Sequence, residues 1–198
     1  MNTLVNLPKT KRGQATLDRI CSSAEQLFFK KGYHATSIND ITYKAKVAPG
    51  TFYIYFTDKV SVYKYLLISY SHAIRMNIAK DVKGVHSRKE AERIGLKSFL
   101  TFIKEHPHVY NIIWESLYID KKLFIEYYTE FAQYYIEHIQ RAQAEGQMRD
   151  HDPEVVAYLL MGVSNFIGLN WIMFKETTEF DDVVDKVIKA LDEGLLVL

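Results

Sequence analysis

The chain has 198 residues, of which 48% are hydrophobic and 25% charged, with a single cysteine. This is the balance of a soluble globular protein of one large or two small domains, and it excludes collagen-like, mucin-like, low-complexity and disulfide-stapled chains. Net charge is only +1, yet it is segregated: residues 1–64 hold ten Lys/Arg against four Asp/Glu, a balance of +6, and the remainder holds 15 against 20, a balance of −5. A basic head ahead of a mildly acidic body points to a polyanion met by the head alone. Cys21 permits no internal disulfide and no cysteine-based zinc cluster. Met1 to Pro8 has neither a basic n-region nor an apolar stretch of signal-peptide length, so secretion is not expected and the cytoplasm is the expected location.

In chain order the apolar period stays near 3.6, and no alternating β-branched run with hairpin punctuation occurs. Leu17, Ile20, Cys21, Ala24, Leu27 and Phe28 share one face of a first helix over about Thr16 to Lys31. It is closed by the cationic turn Lys30-Lys31 and by Gly32. Ser37 with Asp40 is a capping-box signature for a short helix over Ile38 to Ala45. Pro49 opens a third segment ending near Phe56, and Thr57 or Asp58 caps a fourth helix reaching about Asp81. Further helices are predicted over Ser87 to Glu105, Pro107 to about Tyr118, Lys121 to Ala144, Asp152-Pro153 to Phe174, and Asp181 to Leu196. The fold class is therefore all-α with about nine helices. Two short helices joined by a tight turn and braced by longer neighbours have the proportions of a helix-turn-helix.

The residues from Ile20 to Lys59 resemble the N-terminal domain of the TetR family of bacterial transcriptional regulators. The resemblance rests on Ile20, Ala24, Leu27, Phe28 and Gly32-Tyr33, then Thr36-Ser37-Ile38, Asp40-Ile41, Ala45 and Val47. Gly50-Thr51-Phe52-Tyr53, Tyr55-Phe56 and Lys59 complete it. Glu145 to Arg149, Asp152-Pro153-Glu154 and Ala157 look like the family's connection into its penultimate helix. The resemblance implies a helix-turn-helix DNA-binding domain over 1–57 and a helical ligand-binding and dimerisation domain over 58–198. Three positions depart from the family pattern. Lys46 stands where glycine is common, so either a positive-φ turn residue costs about 1 kcal/mol or the turn differs. Ala48 replaces a capping serine, a loss typically of about 1 kcal/mol. Ile54 stands where a polar or aromatic residue is common.

The residues expected at DNA divide by chemistry. Gly50, beside Pro49, lets the backbone approach closely. The hydroxyls of Thr51, Tyr53 and Tyr55, with Ser37 and the ammonium of Lys59, suit phosphate oxygens, whereas Asn39 and Ile54 suit an adenine edge and a thymine methyl. Phe52 and Phe56 belong to the core. Lys9, Lys11 and Arg12 form a basic arm ahead of the first helix, reaching the backbone or an adjacent minor groove, or else a disordered soluble end.

In the body, nine aromatic residues fall within 26 positions, from Tyr110 to Tyr135. Such a stripe is ordinarily core, but buried Tyr and Trp also suit a small-molecule pocket. The resemblance implies an inducer site here, with Trp114, Tyr118, Tyr127, Phe131 and Asn165 expected at a small hydrophobic or aromatic effector. It also implies that the last two helices pair with those of a second copy, through Leu160, Ser164, Gly168, Val187 and Leu191. Val155 to Phe174 carries no charge, but Ser164, Asn165 and Asn170 interrupt it, so a buried helix is expected rather than a membrane span.

Catalysis finds no motif. No Gly-rich phosphate loop, G-x-S-x-G or H-E-x-x-H occurs, and His106 and His108 lack a third ligand nearby, so no enzyme, cofactor or metal site is expected. The expected function is a ligand-responsive transcriptional regulator, a repressor, binding a roughly palindromic duplex operator as a homodimer. Two alternatives stay open: a DNA-binding regulator without an inducer pocket, and a helical bundle whose basic head binds a protein or membrane.

Overall fold

The computed structural model describes residues 4–194. Among these, the elements are α1 (Lys11–Lys31), α2 (Ile38–Lys44), α3 (Pro49–Tyr55), α4 (Lys59–Asp81), α5 (Arg88–Glu105), α6 (His108–Ile119), α7 (Lys121–Ala144), α8 (Pro153–Gly168), a π-helical segment (Leu169–Phe174) and α9 (Asp181–Glu193). The caps are those the sequence marks. Ser37 and Asp40 form a capping box on α2, Ser87 caps α5, the Asp152 side chain accepts from Glu154 N and Val155 N at the start of α8, and Gly32 closes α1 at φ 79°.

Three boundaries differ from expectation, one of them the end of α9, which stops at Glu193 where Gly194 closes it at φ 81° instead of reaching Leu196. Helix α1 begins at Lys11, because Thr10 accepts the Gly13 N–H and caps it about two turns before the first periodic apolar residue, Leu17. The long apolar segment is not one α-helix but changes to π geometry at Leu169.

The described residues form two compact units: 4–71 with 108–127, and 72–107 with 128–194. The boundary expected after residue 57 divides the chain by function and remains a proposal; the packing units are drawn differently, with α6 in the same unit as the head.

In the first unit, Leu17, Ile20, Ala24 and Phe28 of α1, Ile41 of α2, Phe52 and Phe56, Val62 and Tyr63 of α4, and Val109, Ile112 and Ile113 of α6 are buried. The rings of Phe28, Tyr33 and Tyr63 meet in tilted and edge contacts with centroids 5.1–5.6 Å apart, and Tyr63 Oη donates to Ile112 O at 2.5 Å. Burial pushes the Tyr63 phenol well above its ordinary range, so it stays a donor.

The second unit buries Leu96, Leu100 and Ile103 of α5, Val183, Val184 and Ile188 of α9, and a cluster of Ile139, Ala157 and Leu160. Along the rim of α5 and α9, Lys89 pairs with Asp192 at 2.5 Å, Arg93 with Asp185 at 2.7 Å and Lys97 with Asp181 at 2.6 Å. These exposed pairs set the antiparallel register of the two helices more than they stabilise them.

Candidate nucleic-acid interface

The helix-turn-helix is α2, the turn 45–48, and α3. Ile41, Thr42 and Ala45 of α2 and Phe52, Tyr55 and Phe56 at α3 are buried, which turns the remaining residues outward. Asn39, Lys44, Lys46, Ala48, Pro49 and Gly50 are exposed, Tyr53 and Ile54 are 58% and 60% exposed, and Thr51 is half-buried. A Cβ at Gly50 would have no neighbour within 4 Å, so its bareness serves an approach from outside the chain rather than internal packing. Lys46 holds φ 55°, so the turn keeps its left-handed residue although a lysine occupies it. Ala48 gives α3 no side-chain cap.

The structure corrects several expected roles. Tyr55 does not face outward: it is buried, and its hydroxyl donates to Gly13 O at 3.1 Å. Its spacing from Phe52 and Phe56 places it on the inner side of the helix, not beside Tyr53. The Lys59 ammonium donates to Tyr33 O at 2.7 Å and Thr36 O at 2.6 Å and lies 4.0 Å over the Tyr33 ring, so it closes the α1–α2 turn instead of meeting phosphate. Burial lowers its pKa, with Glu115 opposing. The Ser37 hydroxyl accepts from Asp40 N at 3.1 Å and donates to Asp40 Oδ2 at 2.7 Å, which commits it to the cap. Lys11 and Arg12 are not an arm but the first turn of α1; with Lys9 they are exposed. Two cations at the positive end of a helix, with no acidic residue in that turn, are unfavourably placed unless an anion arrives.

The sequence reading missed Tyr43. It is 88% exposed, four residues after Asn39 on α2, and two residues from buried Ile41. The signal was an aromatic residue off the apolar face of a short helix.

The turn between α1 and α2 is fixed from both sides. Glu115 Oε1 of α6 accepts the Tyr33 N–H at 2.7 Å, and Lys31 pairs with Asp40 at 2.8 Å. The Lys31 and Ser37 contacts hold the Asp40 carboxyl well below its ordinary range.

Effector and dimer residues are placed as follows. Trp114 and Tyr118, one turn apart on α6, are 42% and 81% exposed and so are not enclosed by this chain, contrary to the expected pocket lining. Tyr127 is buried in the first unit, and Phe131 and Asn165 are half-buried in the second, where Asn165 Nδ2 donates to Met161 O at 2.8 Å. Leu160 and Gly168 are buried within the chain, which removes them from an intersubunit surface; Ser164, half-buried, donates to Leu160 O at 2.9 Å. Val187 is half-buried and Leu191 exposed. The exposed face of α8 instead carries Val155, Leu159 and Phe166, with Gly162 open in the same register.

Among the described residues no group of three metal-ligating side chains occurs. His108, one of the two histidines considered for a metal, meets Glu25 Oε1 at 2.9 Å.

Residues 20–66 match the sequence profile of bacterial regulatory proteins of the tetR family. That segment is similar to the N-terminal domain of the TetR family. Over 88 residues the chain is 33% identical to a helix-turn-helix transcriptional regulator in the lacX 3′ region of Lactococcus lactis subsp. lactis, covering 44% of this chain and 43% of that one. The chain spans less than half the length of the curated relatives it matches. Its fold extends over whole TetR-like structures. One is the fatty acid degradation regulator FadR from Bacillus halodurans, with TM-score 0.79 and 19% identity, covering 93% of this chain and 96% of that one. Another is FadR from Bacillus subtilis in complex with stearoyl-CoA, with TM-score 0.75 and 16% identity, covering 91% of this chain and 100% of that one. The family is one of DNA-binding transcriptional regulators, not of enzymes.

Proposed function

We propose that this protein is a TetR-family member, a cytoplasmic homodimeric repressor that binds a roughly palindromic duplex and is released by a long-chain fatty acyl compound. The observation that carries the DNA reading is the outward face of α2 and α3. Asn39, Tyr43, Lys44, Lys46, Tyr53 and Ile54 combine an amide, two phenols, two ammoniums and one apolar tip on two short helices and the turn between them, within a head of net charge +6 over residues 1–64. Phenols and lysines suit phosphate, and the amide and the isoleucine suit base edges.

Dimerisation is supported by α8. Pro153–Phe174 is long and apolar enough to cross a membrane, with mean hydropathy 1.6, yet only 28% of its most apolar stretch is buried by the chain. Val155, Leu159, Gly162 and Phe166 fall on one face, and a second copy covers such a face with no membrane required. Two heads then read half-sites about one helical turn apart, roughly 34–36 Å.

The acyl effector is supported by the fatty acid degradation regulator and the stearoyl-CoA complex among the similar folds. An acyl compound acts as a repressor's ligand if it prefers a dimer whose heads miss successive grooves, and a coupling of about 1–3 kcal/mol suffices for release. The test has two arms. Titrating the full-length protein with duplex selected from a random library at two salt concentrations is expected to give a steep salt slope and competition-resistant binding. Adding acyl-CoA of graded chain length, with free CoA as control, is expected to raise the melting midpoint and release the duplex. Binding that is no tighter to selected than to random duplex overturns the first reading. Release by free CoA, or by no acyl chain, overturns the second.

A further inference from the structure

By its own sequence α3 is a weak helix. It has seven residues, Pro49–Tyr55, including Gly50, Thr51 and Ile54, and its N-cap, Ala48, contributes no side-chain bond. Helices this short do not stand alone, and the last carbonyls of any helix lack donors from within it. Two of those carbonyls are met from far away in sequence. The Asn6 N–H donates to Tyr55 O at 2.9 Å, and Asn6 Nδ2 donates to Ile54 O at 3.0 Å. The contact is returned by Tyr55 Oη, which donates to Gly13 O. Between these two points the segment is packed tightly: a Cβ on Gly13 would stand 2.7 Å from Pro8 Cβ and 3.1 Å from Thr10 Oγ1.

We infer that residues Asn6 to Gly13 brace the reading helix, with Asn6 as its positioning residue. The brace holds the C-terminal turn of α3, which carries the exposed Ile54, and keeps Lys9, Lys11 and Arg12 in fixed positions instead of on a free arm. A pre-ordered reader binds more tightly because less chain has to be ordered on the duplex. The inference rests on the reading of α3 as the DNA-contacting helix.

Asn6→Ala removes the amide donor without altering charge. Gly13→Ala places a methyl against Pro8 while raising the helix propensity of α1. The probe is the duplex most enriched by the full-length wild type from a random library, followed by fluorescence anisotropy. Amide exchange in the DNA-free protein reports on residues 49–56. Asn6→Ala is expected to weaken binding about fivefold to tenfold, the worth of one hydrogen bond, and to speed exchange in residues 49–56. Gly13→Ala is expected to do the same. Unchanged exchange in both variants overturns the brace, because an Asn6 that merely touched DNA would lose affinity without loosening free α3. Tyr53→Ala separates the two failures. If it weakens binding to that duplex while both brace variants bind like wild type, only the brace falls; if the wild type enriches no duplex, the reading of α3 falls and the brace with it.

Discussion

The outward faces of α3 and of α8 are both exposed, but they are opposite in chemistry. Around α3 the exposed set is Asn39, Tyr43, Lys44, Lys46, Tyr53 and Ile54, nearly all with a polar tip, whereas α8 presents Val155, Leu159 and Phe166 in a stretch without charge. Water satisfies the first set well, so exposure there is cheap and says little by itself; the cationic balance of the surrounding residues gives it meaning. Exposure of the second set forfeits about 25 cal/mol for each Å² left in water, so that face needs a cover. A polar face is identified by what it attracts, and an apolar one by what it cannot remain next to.

The strongest way to break this contrast is to make the second face resemble the first. Phe166 is 64% exposed in the single chain, so Phe166→Asp leaves the protomer folded. In a paired state it buries an unpartnered carboxylate at a cost of several kcal/mol, so dimer dissociation is expected to rise about 100-fold or more. Sedimentation reads this directly, and operator affinity falls with it because one head alone holds half a site. An unchanged dimer constant would remove α8 from the interface.

A smaller effect sharpens the first face. Tyr53→Ala is expected to weaken binding about tenfold on every sequence with little change in salt slope, because a phenol displaces no counterion. Lys44→Ala should lower that slope by about one, and Asn39→Ala should relax preference at a single base pair by about 1–3 kcal/mol. Anisotropy across a set of point-mutated duplexes at several salt concentrations distinguishes the three.

Local rules made the helix ends legible. The Ser37 capping box, the Asp152-Pro153 start and Gly32 act within four residues and need no knowledge of the fold. The inward turn of Tyr55 was also legible in principle, since Phe52, Tyr55 and Phe56 form the i, i+3, i+4 triple that shares one helical side. Reading Thr51, Tyr53 and Tyr55 as a group applied a strand's period to a helix. The α8 face was harder: a helix apolar on nearly every side has no stripe to mark which residues its own chain covers, and Leu160 and Gly168 went inward while Leu159 and Phe166 did not. The Asn6 contact crosses 48 positions, and no local rule reaches that far.

Lys59 tests whether proximity to the reading helices makes a residue part of the reader. Its ammonium satisfies Tyr33 O and Thr36 O, so Lys59→Met leaves two carbonyls of the α1–α2 turn without that donor. Loss of a hydrogen-bond partner from a partly buried group costs about 1–3 kcal/mol. The melting midpoint is therefore expected to fall, while the salt slope of DNA binding stays as in wild type. A slope reduced by about one with unchanged stability would return Lys59 to the phosphate-contacting set.

The smallest expected effect concerns pH. Asp40 accepts from Lys31, from the Ser37 hydroxyl and from Ser37 N, contacts that favour the carboxylate and hold its folded pKa below the ordinary value. A group depressed in this way adds stability that is complete above the ordinary carboxylate range and is lost as pH falls through that range toward its folded pKa. Asp40→Asn keeps an acceptor for the cap but has no charge to lose. The wild type is therefore expected to melt above Asp40→Asn at neutral pH, with the gap closing as the solution is acidified. Because the carboxylate lies at the surface, salt should shrink the neutral-pH gap as well. A gap constant from neutral to acid pH would mean that the cap's shape, and not its charge, joins α2 to the end of α1.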